Sequence, residues 1–376
     1  MSLDQLDTPC LVLDVGKVER NIARMRAKVL GLGATLRPHV KTPKCIDVAR
    51  LTHAGASGPI TVSTLKEAEY FFEHGMQDML YAVGIAPGKL DQIARLRRSG
   101  AEISIVLDGV EAARMVEAGG RARDMRYPVL IEIDCDGHRS GVKPGDRVLL
   151  EIASALRGAG AELRGVMTHA GDSYNCTSIA AIRAMAERER EAVVSAATML
   201  REAGHAISMV SVGSTPTATF AERLDGVTEV RAGVFVFFDL VMAGLDVCAI
   251  DDIALSVLAT VIGHQREKGW LITDAGWMAM SRDRGTAKQR IDQGYGLVCD
   301  LDGHPIEDII MADANQEHGI VAQRDKRPID AAQYPIGTRL RILPNHACAT
   351  GAQHAAYNVV RGGREIETVW ERFNGW

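Results

Sequence analysis

Short apolar runs alternate with longer amphipathic stretches from Leu11 to about Phe238. LVLDV at 11–15 precedes a long helical pattern decorated with Arg and Lys, and eight further β-branched runs follow it. The eight are LRPHV (36–40), ITVST (60–64), MLYAV (79–83), ISIVLD (103–108), VLIEID (129–134), GVMTHA (165–170), VSVGST (210–215) and VRAGVFVF (230–237). Strand-like runs separated by helix-length segments are typical of parallel βα units, and eight of them predict a closed (β/α)8 barrel.

The pattern changes near Ser256. The runs SVLATVIG, WLITDAGW, GYGLVCD, RLRILPN, YNVV and ETVWERF follow with short turns and without a long helical pattern. This spacing predicts a mostly antiparallel β domain. The predicted organisation is an α/β barrel over 15–250 and a β domain over 251–376, joined by the N-terminal strand of 1–14.

Composition narrows the class of protein. The 376 residues are 47% hydrophobic, and 43 basic against 48 acidic side chains give a net charge of −5. This balance excludes bulk disorder, and the acidic excess makes nucleic acid a poor partner. No apolar run reaches the roughly 18 residues that span a membrane. The acidic N-terminus and seven scattered cysteines predict a cytoplasmic protein with reduced thiols.

Candidate catalytic residues follow the predicted strands, because barrel active sites lie at the carboxyl ends of the strands. Lys41 follows the first run, where a partly desolvated amine can form a Schiff base, although a surface lysine fits the pattern equally well. VGSTPT (212–217) and RAGVF (231–235) carry the glycine and small hydroxyl residues of phosphate-binding loops. Arg139 and His169 follow two further runs. Neither a dinucleotide fingerprint nor a P-loop motif is present.

His346 and Cys348 form a second candidate site in the segment PNHACAT. On a strand, side chains two positions apart share a face, so the pair is predicted to bind one divalent metal ion there. Two protein ligands leave coordination positions open, which suits a catalytic role. A buried cysteine beside a histidine is the alternative interpretation.

Ten segments together resemble one enzyme family. They are RPHVKTPK, ITVSTLKEAE, IEIDCDGHRSGV, THAGDSY, VSVGSTPT, TEVRAGVFVFFD, TDAGWMAMSRDRGT, DQGYG, ANQEHG and PNHACAT. The chain resembles the D-threonine aldolase and D-serine dehydratase-like family of alanine racemase-like pyridoxal phosphate (PLP) enzymes. The similarity is greatest to the bacterial branch of D-threonine aldolases and D-threo-3-hydroxyaspartate dehydratases. It implies a PLP-binding barrel, a β domain, one divalent metal ion and a homodimer.

The resemblance also implies roles for individual residues. Lys41 becomes the Schiff-base lysine, Arg139 the partner of the phenolic oxygen of the cofactor, and His346 and Cys348 the metal ligands. The remaining cofactor-binding residues are Ser63, Ser214, Thr215, Gly233 and Val234. Some members carry His-x-Asp instead of His-x-Cys; among Zn, Mn, Co, Ni and Mg, the thiolate favours zinc, cobalt or nickel over manganese. Phe235 replaces a phosphate-contacting tyrosine and is predicted to pack.

The family implies a lyase that acts on a small D-3-hydroxy amino acid, with Lys41 and His169 as catalytic residues. Retro-aldol cleavage of D-threonine to glycine and an aldehyde is the favoured interpretation. The alternative is β-elimination from D-threo-3-hydroxyaspartate or D-serine, which uses the same residues. An amino-acid racemase needs no metal, so the His346–Cys348 pair argues against that activity. A non-catalytic PLP carrier resembles a lone barrel, so the β domain argues against it.

Overall fold

A computed structural model describes all residues, Met1–Trp376. The strands are β1 (Cys10–Asp14), β2 (Thr35–Leu36), β3 (Ile60–Val62), β4 (Asp78–Gly84), β5 (Glu102–Leu107), β6 (Tyr127–Ile133), β7 (Ala161–Thr168), β8 (Met209–Val212), β9 (Glu229–Val230), β10 (Leu255–Gln265), β11 (Trp270–Thr273), β12 (Gly296–Cys299), β13 (Pro305–Ala314), β14 (Gly319–Gln323), β15 (Arg339–Pro344), β16 (Ala356–Val360) and β17 (Ile366–Glu371). The helices are α1 (Val15–Gly31), α2 (Ile46–Thr52), α3 (Leu65–Glu73), α4 (Leu90–Arg98), α5 (Val110–Ala122), α6 (Val148–Ala155), α7 (Ile179–Glu202), α8 (Thr215–Phe220), α9 (Leu240–Gly244), α10 (Trp277–Met280) and α11 (Ala347–Gly351).

The chain divides into two compact units. The barrel unit comprises Arg24–Lys41, Val48–Gly233 and Gly375–Trp376. The β unit comprises Met1–Ala23, Thr42–Asp47 and Val234–Asn374. The β unit thus takes up the chain at Val234, earlier than the predicted boundary at residue 250. No helix has both the length and the apolar character needed to cross a lipid bilayer.

Eight parallel strands form the sheet of the barrel unit, in the order β2-β9-β8-β7-β6-β5-β4-β3. Beyond the end of β2, a parallel bridge pairs His39 with Thr61 of β3 and so connects the two ends of the sheet. The curled parallel sheet that alternates with helices confirms the predicted fold class. Its inner strands are mainly apolar, and every residue of β6 is buried. Leu80, Val106, Leu130 and Met167 form one cluster across four of these strands.

The last predicted strand of the barrel is shorter than expected. β9 holds only Glu229 and Val230, and Val234–Val236 form a turn of 3-10 helix. Phe237 and Phe238 both donate backbone hydrogen bonds to the carbonyl of Val234, which closes that turn. Phe235 is fully buried, as its predicted packing role requires. A continuous apolar run reports burial, and burial alone does not distinguish a strand from a buried turn.

Nine strands form the sheet of the β unit, in the order β11-β14-β13-β12-β15-β10-β1-β16-β17. Because β11 also pairs with β10, the first six of these strands close on themselves. β1 pairs antiparallel with β10 and parallel with β16, so the N-terminal strand lies inside this sheet. The mostly antiparallel pairing confirms the predicted class. β13 and β14 were missed: exposed charged residues interrupt the apolar positions of β13, and β14 is a short run of five residues.

Candidate active site

The segment that carries Lys41 is attached to the end of β3. Thr61 donates its backbone N–H to Pro38, and Val40 donates to Thr61. Lys41 follows with an exposed side chain, and its backbone N–H donates to Nδ1 of His39 at 3.4 Å. Burial and the nearby charges of Lys41 and Arg231 hold the pKa of His39 well below its usual value. Lys41 therefore lies beside a neutral imidazole at the carboxyl ends of the barrel strands.

His169 lies in the same cluster. Its Nδ1 is 2.5 Å from the carbonyl oxygen of Gly213, so Nδ1 carries the proton and Nε2 has a free lone pair. Burial lowers the pKa of His169 to about 4, and Lys41 and Arg231 contribute to the shift. The ring is thus neutral at pH 7.

Arg231 is a charged member of this cluster that the sequence analysis missed. It is buried, and burial lowers the pKa of its guanidinium. Nη2 donates to the carbonyl of Thr168 at 2.6 Å, and Nη1 donates to Oγ of Ser211 at 2.5 Å. Ser211 in turn donates to the Glu229 carboxylate at 2.6 Å. The available signal was an arginine within the apolar run VRAGVFVF, because arginine is almost never fully buried without a charged or polar partner.

The loop between β8 and α8 has the features of a phosphate site. Gly213 has φ of +155°, and a Cβ there would lie 2.1 Å from the carbonyl oxygen of Arg231. Ser214 caps α8, its Oγ accepting from the backbone N–H of Thr217. Thr215 is 1% exposed, yet its Oγ1 has no hydrogen-bond partner. A buried hydroxyl without a partner at a helix start fits an anionic oxygen.

Glu189 of α7 supports this loop from behind and was also missed. Its Oε1 accepts the backbone N–H of Ala170 at 3.0 Å and that of Gly213 at 3.1 Å. One buried carboxylate therefore joins the ends of β7 and β8. Burial raises the pKa of Glu189, and the hydrogen bonds oppose the shift. The signal in the sequence was a glutamate in the apolar stripe of a helix.

The other predicted cofactor residues are less clearly arranged. Ser63 donates both its backbone N–H and its hydroxyl to the buried carboxylate of Glu67. The side chain of Arg139 is 61% exposed, and its Nη2 is 3.6 Å from Oε1 of Glu132. Gly233 ends the barrel unit and Val234 begins the next segment of the β unit. Their roles remain predictions.

The second candidate site lies in the β unit, at His346 and Cys348. The expectation that both lie on one strand is wrong: β15 ends at Pro344, and His346 is the N-cap of α11. The tight helical turn nevertheless brings the two side chains into hydrogen-bond contact. Cys348 also donates its thiol to Oγ1 of Thr42 at 3.2 Å. The two predicted ligands therefore come together by a different local geometry.

Two aspartates flank this pair. Oδ2 of Asp283 is 2.6 Å from Nδ1 of His346, a contact that holds the pKa of Asp283 below its usual value. Asp239 is buried and accepts the backbone N–H of Ala347 at 3.0 Å. Burial raises the pKa of Asp239, while the charge of His346 opposes that shift. No third His, Cys, Asp or Glu completes a set of three metal ligands.

Comparison with known families decides the class of protein. Residues 13–241 match the profile of the family described as alanine racemase, N-terminal domain. The chain belongs to the alanine racemase-like family of PLP enzymes. Residues 254–360 match the profile of a serine dehydratase domain.

Several relatives match along the whole chain. D-threo-3-hydroxyaspartate dehydratase from Delftia sp. strain HT23 is 55% identical over 374 residues, 99% of this chain and 98% of that protein. Its solved structure superposes with a TM-score of 0.98 and full coverage of both chains. D-serine dehydratase from Dictyostelium discoideum is 28% identical, over 100% of this chain and 98% of that protein. D-threonine aldolase from Filomicrobium marinum is 25% identical, with a TM-score of 0.83 and coverage of 99% and 96%. All three relatives are lyases, and this alanine racemase-like protein is an enzyme of the same class.

Proposed function

We propose that this enzyme is a PLP- and divalent-metal-dependent dehydratase of D-threo-3-hydroxyaspartate. The observation that carries the proposal is the 55% identity, over 99% of the chain, to the Delftia enzyme of that name. The aldolase relatives are much more distant, at 25% to 29% identity. The β-elimination alternative is therefore better supported than the D-threonine cleavage that the sequence first favoured.

The residues of the barrel unit fit the cofactor. The unpartnered hydroxyl of Thr215 and the start of α8 would hold its phosphate, together with Ser214. Lys41 would bond the cofactor aldehyde, and Arg231 adds a buried cation close to His39 and His169. We propose that Arg139, Ser63, Gly233 and Val234 complete the contacts that the family resemblance assigns to them.

The His346–Cys348 pair fits a catalytic metal ion. A thiolate and an imidazole are ligands that zinc accepts, and two protein ligands leave positions for water or substrate. A solved structure of a D-threo-3-hydroxyaspartate dehydratase in which a cysteine is replaced by alanine is described as the metal-free form. This description implies that the relative also binds a metal, and we propose that Cys348 is a ligand of such an ion here.

The cofactor, the metal ion and the residues of the chain have separate roles in the proposed reaction. Bound PLP supplies an electron sink for charge at Cα, and a bound divalent ion supplies a Lewis acid for the leaving hydroxyl. The Lys41 amine takes the proton from Cα as the C–O bond at Cβ breaks. Water leaves, and hydrolysis of the resulting imine yields oxaloacetate and ammonia. Because the pKa of His169 is lowered to about 4, its ring is neutral at pH 7. Its Nε2 can therefore accept a hydrogen bond.

Product analysis with one substrate tests the proposal. The purified enzyme, supplied with PLP and zinc, is incubated with D-threo-3-hydroxyaspartate. Oxaloacetate and ammonia in equal amounts are expected. Glycine with glyoxylate would instead indicate aldol cleavage, and the L-erythro diastereomer, formed by inversion at Cα without cleavage, would indicate a racemase. Parallel reactions with D-serine and D-threonine, assayed for pyruvate and for acetaldehyde, define the substrate side chain.

The resemblance also leads us to propose that the enzyme is a cytoplasmic homodimer. Light scattering on the purified holoenzyme tests the oligomeric state. A mass near twice 40.6 kDa is expected for the dimer.

A further inference from the structure

The Asp283 carboxylate contacts Nδ1 of His346, the histidine of the His346–Cys348 pair. Oδ2 of Asp283 lies 2.6 Å from Nδ1 of His346, and both side chains are partly buried. We propose that Asp283 is the positioning residue that fixes His346 for metal binding through Nε2. The inference rests on the proposed metal-dependent function and adds a residue that neither the sequence motifs nor the two-ligand pair assigned.

Hydrogen-bond chemistry fixes which nitrogen of His346 carries the proton when the ring is neutral. An ionised carboxylate only accepts, so Nδ1 of His346 must carry the hydrogen of the contact. A divalent ion binds the neutral form of the ring, which has one proton, so in that form Nε2 presents its lone pair. Cys348 also contacts the ring. The free lone pair and the thiol together form the two-donor set that a divalent ion requires.

A network of hydrogen bonds holds the backbone at Asp283. Asn345, the residue before His346, donates Nδ2 to the carbonyl of Asp283 at 3.2 Å and to the carbonyl of Gly294 at 2.7 Å. The Oδ1 of Asn345 accepts from the hydroxyl of Thr286 at 2.9 Å. All three donors and acceptors of this buried amide are therefore used to fasten the Asp283 loop to the histidine turn.

A second attachment lies on the other side of the loop. The hydroxyl of Thr350, in α11, donates to the carbonyl of Met280 at 2.7 Å. Between these attachments the backbone turns at Ser281, which has φ of +73° although it is not glycine. Such a conformation is rare for a residue with a side chain, and surrounding contacts must maintain it. Those contacts place the Asp283 carboxylate against the His346 ring.

The same unit contains a histidine–aspartate pair without these features. Nδ1 of His304 is 3.4 Å from Oδ2 of Asp300, and the His304 side chain is 80% exposed. No thiol adjoins that ring, and the two residues are four positions apart on a surface turn. Asp300 therefore serves as a control for the loss of an aspartate beside a histidine in this unit.

Zinc affinity measured by chelator competition tests the role of Asp283. The variants are Asp283→Ala, Asp283→Asn and the control Asp300→Asn, each prepared as PLP-loaded enzyme. Partners that orient a ligating histidine typically contribute a factor of about 10 to 100 in metal affinity. We expect the zinc Kd to rise about 100-fold in Asp283→Ala and about tenfold in Asp283→Asn, whose amide oxygen still accepts from Nδ1. Asp300→Asn is expected to match the wild type.

Two further readouts separate positioning from a loss of folding. The visible absorbance of bound PLP and the thermal midpoint of the Asp283→Asn variant are expected to stay at wild-type values while zinc affinity falls. Cobalt substitution is expected to show the thiolate charge-transfer band of Cys348 in wild type and in Asp283→Asn, at higher cobalt concentration in the variant. If Asp283→Ala does not fold, the Asp283→Asn comparison decides the outcome.

The failure of this inference is distinct from the failure of the proposed function. Wild-type zinc affinity in both Asp283 variants would overturn the positioning role and leave the metal-dependent dehydratase intact. A cobalt spectrum with a changed ligand set in Asp283→Asn would overturn it in favour of Asp283 as a direct ligand. A wild-type enzyme that is fully active and binds no metal would instead overturn the function on which the inference rests.

Discussion

The two units of the molecule present candidate sites made from different kinds of groups. In the barrel unit, the phosphate loop depends on the backbone at Gly213 and on the hydroxyl of Thr215. In the β unit, the proposed metal site depends on two side chains, His346 and Cys348. A carboxylate stands behind each: Glu189 accepts from the backbone of the phosphate loop, and Asp283 accepts from the imidazole ring.

This difference predicts how each site responds to substitution. A side-chain substitution leaves the backbone N–H donors of the phosphate loop in place. Each substitution in this loop should therefore weaken PLP binding only in part. The proposed metal site has two protein ligands, both of them side chains, so removing one leaves a single protein donor. The carboxylate behind the loop acts on folding, whereas the carboxylate behind the histidine acts on metal affinity. The variants below test this contrast, in order of decreasing effect.

Lys41→Ala should have the largest effect, because a group that bonds the cofactor and transfers a proton has no substitute nearby. We expect kcat to fall roughly 10³-fold. The visible absorbance and borohydride-reducible adduct of the wild type should both be lost. The matched control is Lys44→Ala, three residues further along, where the amine lies 5.3 Å from the Phe373 ring. A reducible adduct that persists in Lys41→Ala would refute the assignment.

Removal of the metal should abolish dehydration and leave the cofactor in place. We expect chelator treatment and His346→Ala to lower activity to a similar level, because an open-site ion supplies several kcal/mol to a developing negative charge. PLP absorbance should persist in both. Added zinc should restore the chelated wild type and fail to restore His346→Ala. The exposed His304→Ala is the control, and full activity without metal would contradict the prediction.

Glu189→Ala should destabilise the enzyme and weaken PLP binding together. The change leaves the buried N–H groups of Ala170 and Gly213 without an acceptor, at a cost of about 3 kcal/mol. Urea unfolding of the apoenzyme measures the stability, and dialysis measures cofactor retention. Glu189→Gln keeps one acceptor oxygen and should lose less on both. Unchanged unfolding in Glu189→Ala would show that the loop does not depend on this carboxylate.

Acidification should destabilise the barrel unit through His169. Burial lowers its pKa to about 4 in the folded chain, below the ordinary value of 6.5. The unfolded chain therefore binds more protons between these values, and stability is lost as pH falls from about 6.5 to 4. In urea titrations at pH values across this range, the free energy of unfolding of His169→Asn should fall less than that of the wild type. Parallel curves for variant and wild type would assign the pH dependence to other groups.

Thr215→Val should have the smallest effect of this series. It removes one hydroxyl from the phosphate loop and leaves the backbone donors, so we expect PLP affinity to fall about fivefold, or about 1 kcal/mol. Thr219→Val is the control on the same helix, since that hydroxyl already donates to the carbonyl of Thr215. A loss as large as that of Glu189→Ala would mean that side chains, rather than the backbone, bind the phosphate.

The sequence predicted the fold class because hydrophobic periodicity is a local property. Each strand run of the barrel is apolar over consecutive residues, and the β6 run is buried throughout. The same reasoning failed where burial did not imply a strand, at Val234–Val236, and where a polar face interrupted the pattern, at β13. It also placed the His346–Cys348 pair on a strand, although β15 ends at Pro344 and α11 begins at Ala347.

By itself, then, the sequence determined the alternation of elements and the family, and it predicted Lys41, His346 and Cys348 as the reactive side chains. Only the tertiary structure decided which groups support them. Glu189 meets Gly213 across 24 residues, and Asp283 meets His346 across 63. Neither contact leaves a periodic trace in the chain, because a hydrogen bond between distant segments depends on how the elements pack. A carboxylate in the sequence becomes a positioning group only when folding brings it within about 3 Å of its donor and excludes water from both.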